Sequence, residues 1–239
     1  MIAIAIPTLN ERESIGILLE KILKLTVPIG YVLVIDDGST DGTVDIVNAL
    51  AQKYPQIHIL QRSGPKGLGR AYLDGLKRIL ANTDAKVDAV VQMDADLSHS
   101  PEVIADFIRL IKDYDLIIGS RYIPGGDVSG WNWPRRMISR FGNLYARIVL
   151  GSPIHDLTSG YKCWRRSLLE KIIAQPLESL GYVFQIETTY RATRLNARIK
   201  EAPITFTERK AGGSKFSIKI IVEAYFKVLA LRFRKNSLP

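Results

Sequence analysis

The chain has 239 residues, 46% hydrophobic and 24% charged, which is enough for one large folded domain with a substantial core and excludes low-complexity and fibrous classes. Its single cysteine, Cys163, excludes an internal disulfide and is consistent with a reducing compartment. The net charge of +9 is unevenly spread: residues 1–119 carry 12 Lys and Arg against 16 Asp and Glu, while residues 120–239 carry 21 against 8, so a cation is expected on one half and an anionic partner on the other.

The apolar start, Met1 to Pro7, lacks the basic stretch of a secretory leader, and none is expected. Ile2–Ile6 reads as a first strand ending at Pro7. Ile15, Leu18, Leu19, Ile22 and Leu23 then recur at spacings of three and four, which predicts a helix. Tyr31–Ile35 is a second strand, stopped by Asp36-Asp37-Gly38-Ser39, and Val44, Val47, Leu50 and Ala51 mark a second helix with Ser39, Thr40 or Asp41 as its cap. Ile57–Leu60, Ala89–Met93 and Leu116–Gly119 read as further strands. Leu68–Ala81 is a helix, and another starts at Pro101 with Ser98 or Ser100 as cap.

After residue 120 the pattern loosens. Pro124-Gly125-Gly126 and Trp131-Asn132-Trp133-Pro134 read as loops, Met137–Leu150, Ser167–Ala174 and Gln185–Leu195 as helices, and Ile199–Phe206 as an edge strand because of Pro203. Continuous apolar strands alternating with amphipathic helices predict an α/β fold, a mainly parallel sheet covered on both faces. Ligands bind such sheets beyond the carboxyl ends of the strands. Those ends carry Pro7-Thr8-Leu9-Asn10-Glu11, Asp36-Asp37, Asp94-Ala95-Asp96 and Gly119-Ser120-Arg121.

The Asp94-Ala95-Asp96 spacing lets two carboxylates approach one hard cation as the chain turns, and Mg²⁺ or Mn²⁺ suits such oxygen ligands together with diphosphate oxygens. The competing reading is an Asx-type turn after a strand; a second acidic pair at a neighbouring strand end favours function. Asp36 or Asp37 can accept hydrogen bonds from a ribose or base, although the same residues also suit a plain strand-to-helix turn. Neither GxGxxG after the first strand nor GxxxxGK[ST] occurs, which argues against dinucleotide oxidoreductases and P-loop enzymes. His99 and His155 lie far apart with no third histidine in ligand-like spacing, so structural roles are expected.

In order along the chain, Pro7-Thr8-Leu9-Asn10-Glu11, Asp36-Asp37-Gly38-Ser39-Thr40-Asp41-Gly42, Lys66-Gly67-Leu68-Gly69, Asp94-Ala95-Asp96-Leu97-Ser98-His99 and Gly119-Ser120-Arg121-Tyr122 resemble the motifs of family 2 glycosyltransferases with the nucleotide-sugar-binding GT-A fold. The later runs Trp131-Asn132-Trp133-Pro134-Arg135-Arg136, His155-Asp156-Leu157-Thr158-Ser159-Gly160-Tyr161, Gly181-Tyr182-Val183-Phe184-Gln185-Ile186-Glu187 and Phe206 to Lys215 are most similar to the dolichol- and polyprenol-phosphate mannose synthases.

The resemblance, over about residues 1–225, implies one catalytic domain: a nucleotide-sugar and metal half (1–120), an acceptor half (121–215) and an amphipathic tail (216–239). It implies inverting transfer of mannose from GDP-mannose to a dolichyl or polyprenyl phosphate. A polyprenyl-phosphate glucosyltransferase using UDP-glucose is the runner-up. By position, Pro7, Leu9 (where the family often has tyrosine), Glu11, Asp36, Asp37, Asp94 and Ala95 would line the nucleotide, and Asp94, Asp96 and Ser98 the metal. Arg121, Arg135, Arg136, Arg209 and Lys215 would meet the acceptor phosphate. The catalytic set would be Asp96, Arg121, Arg209, Lys215 and Asp156. Asp156 matches the base of other members, but an anionic phosphate nucleophile needs no base, which leaves Asp156 to orient neighbours or cap a turn.

The tail Phe216–Phe233 is apolar with Lys219, Glu223 and Lys227 in one stripe. Each charge at the centre of a membrane span costs roughly 2.5–3.5 kcal/mol, so an in-plane helix with Arg232, Arg234 and Lys235 at anionic headgroups is expected rather than a crossing. Trp131, Trp133 and Trp164 fit either core or lipid interface. A peripheral position on the cytoplasmic face follows, with a small membrane subunit left open. Two rivals of other classes are a catalytically silent nucleotide-sugar-binding subunit and a nucleic-acid binder; no nucleic-acid motif supports the latter.

Overall fold

A computed structural model describes residues 1–82, 86–177, 179, 181, 183–208 and 218–233. The first half alternates as expected: β1 (Ile2–Thr8), α1 (Arg12–Leu23), β2 (Ile29–Asp36), α2 (Thr43–Lys53), β3 (Ile57–Gln61), α3 (Leu68–Ala81), β4 (Ala89–Gln92), a 3₁₀ turn at Pro101–Val103 running into α4 (Ile104–Leu110), and β5 (Leu116–Ser120). The second half holds β6 (Asp127–Ser129), α5 (Trp133–Leu150), β7 (Lys162–Arg165), α6 (Arg166–Ala174), α7 (Phe184–Arg194), β8 (Ile199–Pro203), β9 (Thr205–Thr207) and α8 (Ile218–Phe233).

Seven strands form the sheet β3-β2-β1-β4-β7-β5-β8. All run parallel except β7, which lies antiparallel between β4 and β5. Along β1 the side chains alternate. Ala3 and Ala5 face a cluster with Tyr72, Leu76 and Ile79 of α3, whereas Ile2, Ile4 and Ile6 face Ile15, Leu18 and Leu19 of α1. Burying each such Leu or Ile contributes about 1.5–3 kcal/mol, so covering both faces is what holds the strand ends in register. Gly75 lets α3 lie close on β2: a Cβ there would stand 2.5 Å from Ile35 Cγ1.

Several expectations are corrected. Residues 133 and 134 are not loop: α5 starts at Trp133, with Pro134 in its first turn and Asn132 accepting from Arg135 N at 3.1 Å as the cap. The strand β7 went unrecognised because a lysine heads it, yet Lys162 is fully buried at the sheet centre. Ile199–Phe206 divides at Ile204 into β8, which is an edge strand as Pro203 implied, and β9, which pairs with β6 in a separate two-stranded sheet. Ser100 occupies the cap position before the 3₁₀ turn, but its hydroxyl goes to Glu102, and Ser98 turns to Asp96 instead. Gly42 takes the cap position of α2, while Asp41 Oδ1 accepts from Thr43 N at 3.0 Å. Cys163 is buried in β7, and burial pushes its thiol up to about 12, which leaves it unreactive.

Candidate active site

The carboxyl ends of β1, β2, β4 and β5 converge because these strands run in one direction, so the acidic motifs and Arg121 meet at one edge of the sheet. At the end of β2, Asp36 is buried and closes a turn: Oδ1 accepts from the N–H groups of Gly38 (3.0 Å) and Ser39 (2.9 Å), and Oδ2 from Ser39 Oγ (2.5 Å) and Thr8 Oγ1 (3.2 Å). Gly38 sits at φ 84°, a conformation that favours glycine. Asp37 pairs with Arg62 and accepts from Gly67 N at 2.7 Å, tying the Lys66-Gly67 loop to the site. Arg62 in turn holds Asp74 of α3 at 2.7 Å. Both carboxylates therefore hold the loops at the strand ends in place. Pro7, Leu9 and Glu11 lie partly exposed beside them, and Ser14 Oγ donates to Glu11 Oε2 at 3.1 Å.

Beyond β4, Asp94 and Asp96 are both partly exposed, and Ala95 between them is buried. Tyr72 of α3 donates its hydroxyl to Asp94 Oδ1 at 3.1 Å. Burial and the Asp94 charge push the phenol well above its ordinary value, so it remains a donor. Leu97 at φ 62° folds the chain back, and Asp96 Oδ1 accepts from Ser98 N (3.1 Å) and Oγ (2.5 Å). The Ser98 hydroxyl thus fixes Asp96. His99, also buried, accepts from Asp94 N through Nδ1 at 3.1 Å and stacks on Tyr161 at 4.7 Å. Burial outweighs the nearby carboxylates and holds the imidazole neutral, below its usual range. The donor set is oxygen only. Among the described residues no three His, Cys, Asp or Glu side chains group to hold a metal by themselves, so a cation here would need oxygens from a ligand.

Arg121 and Asp156, 35 residues apart, form the strongest pair of the site. Arg121 Nε and Nη2 each donate to a different Asp156 oxygen at 2.7 Å, and Arg121 N adds a third bond at 3.0 Å. Asp156 is fully buried. Burial alone would raise its pKa, but Arg121 outweighs it and holds the carboxyl below the usual carboxylate range; the same attraction overcomes desolvation and raises the Arg121 pKa. With both oxygens engaged, Asp156 orients Arg121 and is closed to a substrate proton.

Arg121 also lies over the rings of Tyr122 (5.2 Å), Phe206 (5.6 Å) and Trp131 (5.8 Å). Arg135 stacks on Trp131 at 4.3 Å and pairs with Glu208. Arg136 instead braces the segment before α5, donating to the carbonyls of Val128 and Trp131 and pairing with Asp127 at 3.8 Å. The indole N–H of Trp131 is buried without an acceptor among the described residues. Arg209 and Lys215 lie outside the described residues. Sequence reading missed Lys162 and Gln185: Lys162 Nζ donates to Gln185 O (2.8 Å) and Oε1 (2.9 Å) beneath the site, and burial drives its pKa well down. The sequence signal was that Gln185 lies inside the quoted run Gly181 to Glu187 and that Lys162 directly follows the run ending at Tyr161.

The family model for "Glycosyl transferase family 2" matches residues 3–173. The chain belongs to glycosyl transferase family 2. Two bacterial relatives of this family 2 chain are similar over nearly its whole length. Polyprenol monophosphomannose synthase of Mycolicibacterium smegmatis is 43% identical, covering 94% of this chain and 84% of that protein. Undecaprenyl-phosphate mannosyltransferase of Micrococcus luteus is 44% identical, covering 93% and 90%. Glucosyl-3-phosphoglycerate synthase from Mycobacterium tuberculosis, in complex with Mn²⁺, UDP and glucosyl-3-phosphoglycerate, superposes with a TM-score of 0.68 at 20% identity over 100% of this chain and 81% of that one. The same enzyme with Mn²⁺, UDP-glucose and glycerol 3-phosphate gives 0.68 at 19% over the same shares. The fold is GT-A, in a single domain.

Proposed function

We propose that this family 2 enzyme transfers mannose from GDP-mannose to a polyprenyl phosphate, with inversion at the sugar carbon. The observation that carries the reading is the 43–44% identity, over more than nine-tenths of the chain, to relatives named for polyprenyl-phosphate mannosyl transfer. Asp94 and Asp96 would hold Mg²⁺ or Mn²⁺ with donor diphosphate oxygens, and Ser98 and Tyr72 would fix the two carboxylates. When bound, the ion neutralises charge on the departing nucleotide diphosphate. Pro7, Leu9, Glu11, Asp36, Asp37 and Ala95 would line the nucleotide.

An acceptor phosphate oxygen attacks the sugar carbon, the bond from that carbon to the diphosphate breaks, and GDP leaves. The nucleophile is already anionic, so its positioning matters more than its deprotonation. Arg121, pre-aligned by Asp156, and Arg135 would hold that phosphate together with Arg209 and Lys215. The Trp131 N–H, next to Arg121 and Arg135 and without an acceptor among the described residues, favours an anion at this place.

The acceptor's lipid places the enzyme at a membrane surface, on its cytoplasmic side in this reading. Among the described residues no helix is long and apolar enough to cross a membrane. Helix α5 instead shows Trp133, Ile138, Phe141, Leu144 and Ile148 on one exposed face, flanked by arginines, and α8 adds Tyr225, Phe226 and Phe233. Tyr145 stacks on Tyr225 at 4.8 Å and joins the two helices. An apolar face with cationic flanks suits an anionic lipid surface. The sequence pointed to the tail and offered Trp131, Trp133 and Trp164 for core or lipid interface; Trp133 lies on this exposed face, whereas Trp164 is fully buried. Arg234 and Lys235 lie outside the described residues.

The test is product formation by the purified chain with Mg²⁺ or Mn²⁺, a short polyprenyl phosphate, and GDP-mannose, UDP-glucose or UDP-N-acetylglucosamine in parallel. Lipid-linked mannose from GDP-mannose alone is expected, and Asp96→Ala should lower the rate by a factor on the order of 10² or more, as the loss of several kcal/mol of charge stabilisation requires. Transfer only from a uridine nucleotide would overturn the sugar assignment.

A further inference from the structure

A cavity of about 260 Å³ opens beside the catalytic cleft, between the loop after β5 and helix α5. Arg121, Arg140, Arg147 and His155 line it, with Asn143 and Leu144. Arg140 and Arg147 lie two turns apart on α5, on the flank between its buried residues Asn143, Ala146 and Leu150 and its exposed apolar face. Neither arginine has a carboxylate partner among the described residues, and Arg147 Nε is buried with no acceptor. Among the described residues no carboxylate lines the cavity itself, and of its arginines Asp156 engages only Arg121. Glu201 is engaged by His155 Nδ1 (2.9 Å) and by the N–H groups of His155 (2.9 Å) and Asp156 (3.0 Å).

A concave site with two guanidinium groups, Arg140 and Arg147, that no carboxylate engages among the described residues, and with one buried unmatched donor, fits a tetrahedral anion, because the planar fork of arginine matches phosphate oxygens and leaving the donor unpaired is costly. The volume equals roughly eight waters of liquid, more than one phosphate needs, so part of the group esterified to it also fits. Leu144 lies both in the cavity and on the exposed apolar face of α5, which sets the cavity at headgroup depth if that face meets a membrane.

We propose that this cavity, which borders the acceptor-phosphate place through Arg121, is a second phosphate site that takes a phosphate ester through Arg140 and Arg147. The phosphate belongs either to a phospholipid headgroup or to a free phosphate compound. The inference shares with the proposed function the membrane-facing reading of α5, but the anion site stands on the cavity alone.

The experiment titrates the full chain calorimetrically at low salt, once with inorganic phosphate and once with dihexanoyl phosphatidylglycerol kept below micelle formation. Wild type, Arg140→Gln, Arg147→Gln and the double variant are compared, with GDP and Mn²⁺ as a control ligand. Each single substitution should weaken binding of the probe about tenfold, as loss of one charge-assisted hydrogen-bonding group implies, and leave GDP binding unchanged. Binding of the lipid alone supports a headgroup site, and equal binding of inorganic phosphate supports a free phosphate compound. Wild type that binds neither probe, or a double variant that binds both as wild type does, overturns the proposal. Arg140 is exposed, so its variant retains the test if Arg147→Gln misfolds. Absence of mannosyl transfer would sink the proposed function and leave these titrations untouched.

Discussion

The Arg121–Asp156 pair shows what burial does to an ion pair. Two desolvated charges are tolerated because their geometry is bidentate and Thr158 Oγ1 accepts a further bond from Arg121 Nη2 at 2.8 Å. Removing one partner leaves the other charge uncompensated. Asp156→Asn should therefore lower unfolding stability by about 3–5 kcal/mol, read by urea denaturation, and reduce transfer by misplacing Arg121. An unchanged denaturation midpoint would show that the pair is not buried as described.

Lys162 poses the opposite case, a buried amine whose partners Gln185 and Thr188 are neutral. Its folded-state pKa is depressed by burial from the ordinary 10.5. Between the folded and unfolded values the unfolded chain holds one more proton, so stability rises with pH across that window, by up to about 1.4 kcal/mol per unit. Lys162→Met should flatten this slope. An identical slope in the variant would mean that Lys162 titrates normally. Asp94, Asp96 and Arg121 were readable from sequence because they sit in motifs at strand ends. The burial of Lys162 and the pairing of Asp156 with Arg121 were not, because they depend on residues tens of positions away.

At the scale of elements, the β-α alternation of the first half was legible because apolar period and turn residues agree there. Strand β7 was not: four residues headed by lysine carry no strand signature, and only antiparallel pairing with both β4 and β5 makes them one. The start of α5 was misjudged because Trp-Pro looks like loop punctuation, whereas proline in a first helical turn loses no hydrogen bond. Close approach of α3 to β2 depends on Gly75. Gly75→Ala would raise intrinsic helix propensity by up to about 1 kcal/mol, yet the added methyl meets Ile35 at 2.5 Å. The clash should win, with a net loss of about 1–3 kcal/mol by urea denaturation and no change in the family's motif residues. A more stable variant would show that helix and sheet are further apart.

For the molecule as a whole, the acidic half carries the residues proposed for nucleotide and metal, and the basic half carries Arg121, Arg135 and the arginines of α5. The exposed face of α5 gives that division an orientation. Phe141→Glu combined with Ile148→Glu, both at exposed positions, should change folding stability by less than about 0.5 kcal/mol per site while sharply reducing cosedimentation with anionic vesicles. Transfer to a vesicle-embedded lipid should fall, and transfer to a short soluble acceptor should persist. Vesicle binding equal to wild type would remove α5 from the membrane-facing surface.

Sequence by itself determined the fold class, the strand-end positions of the acidic motifs and the family, since each rests on local periodicity, turn chemistry or contiguous motifs. The tertiary structure alone decided that Asp156 serves Arg121, that Ser98 serves Asp96, that a lysine lies in the sheet centre, and that α5 carries an exposed apolar face beside a cationic cavity. Those facts depend on which distant side chains share a buried space and which are left facing outward, and packing settles that only when the whole chain has closed.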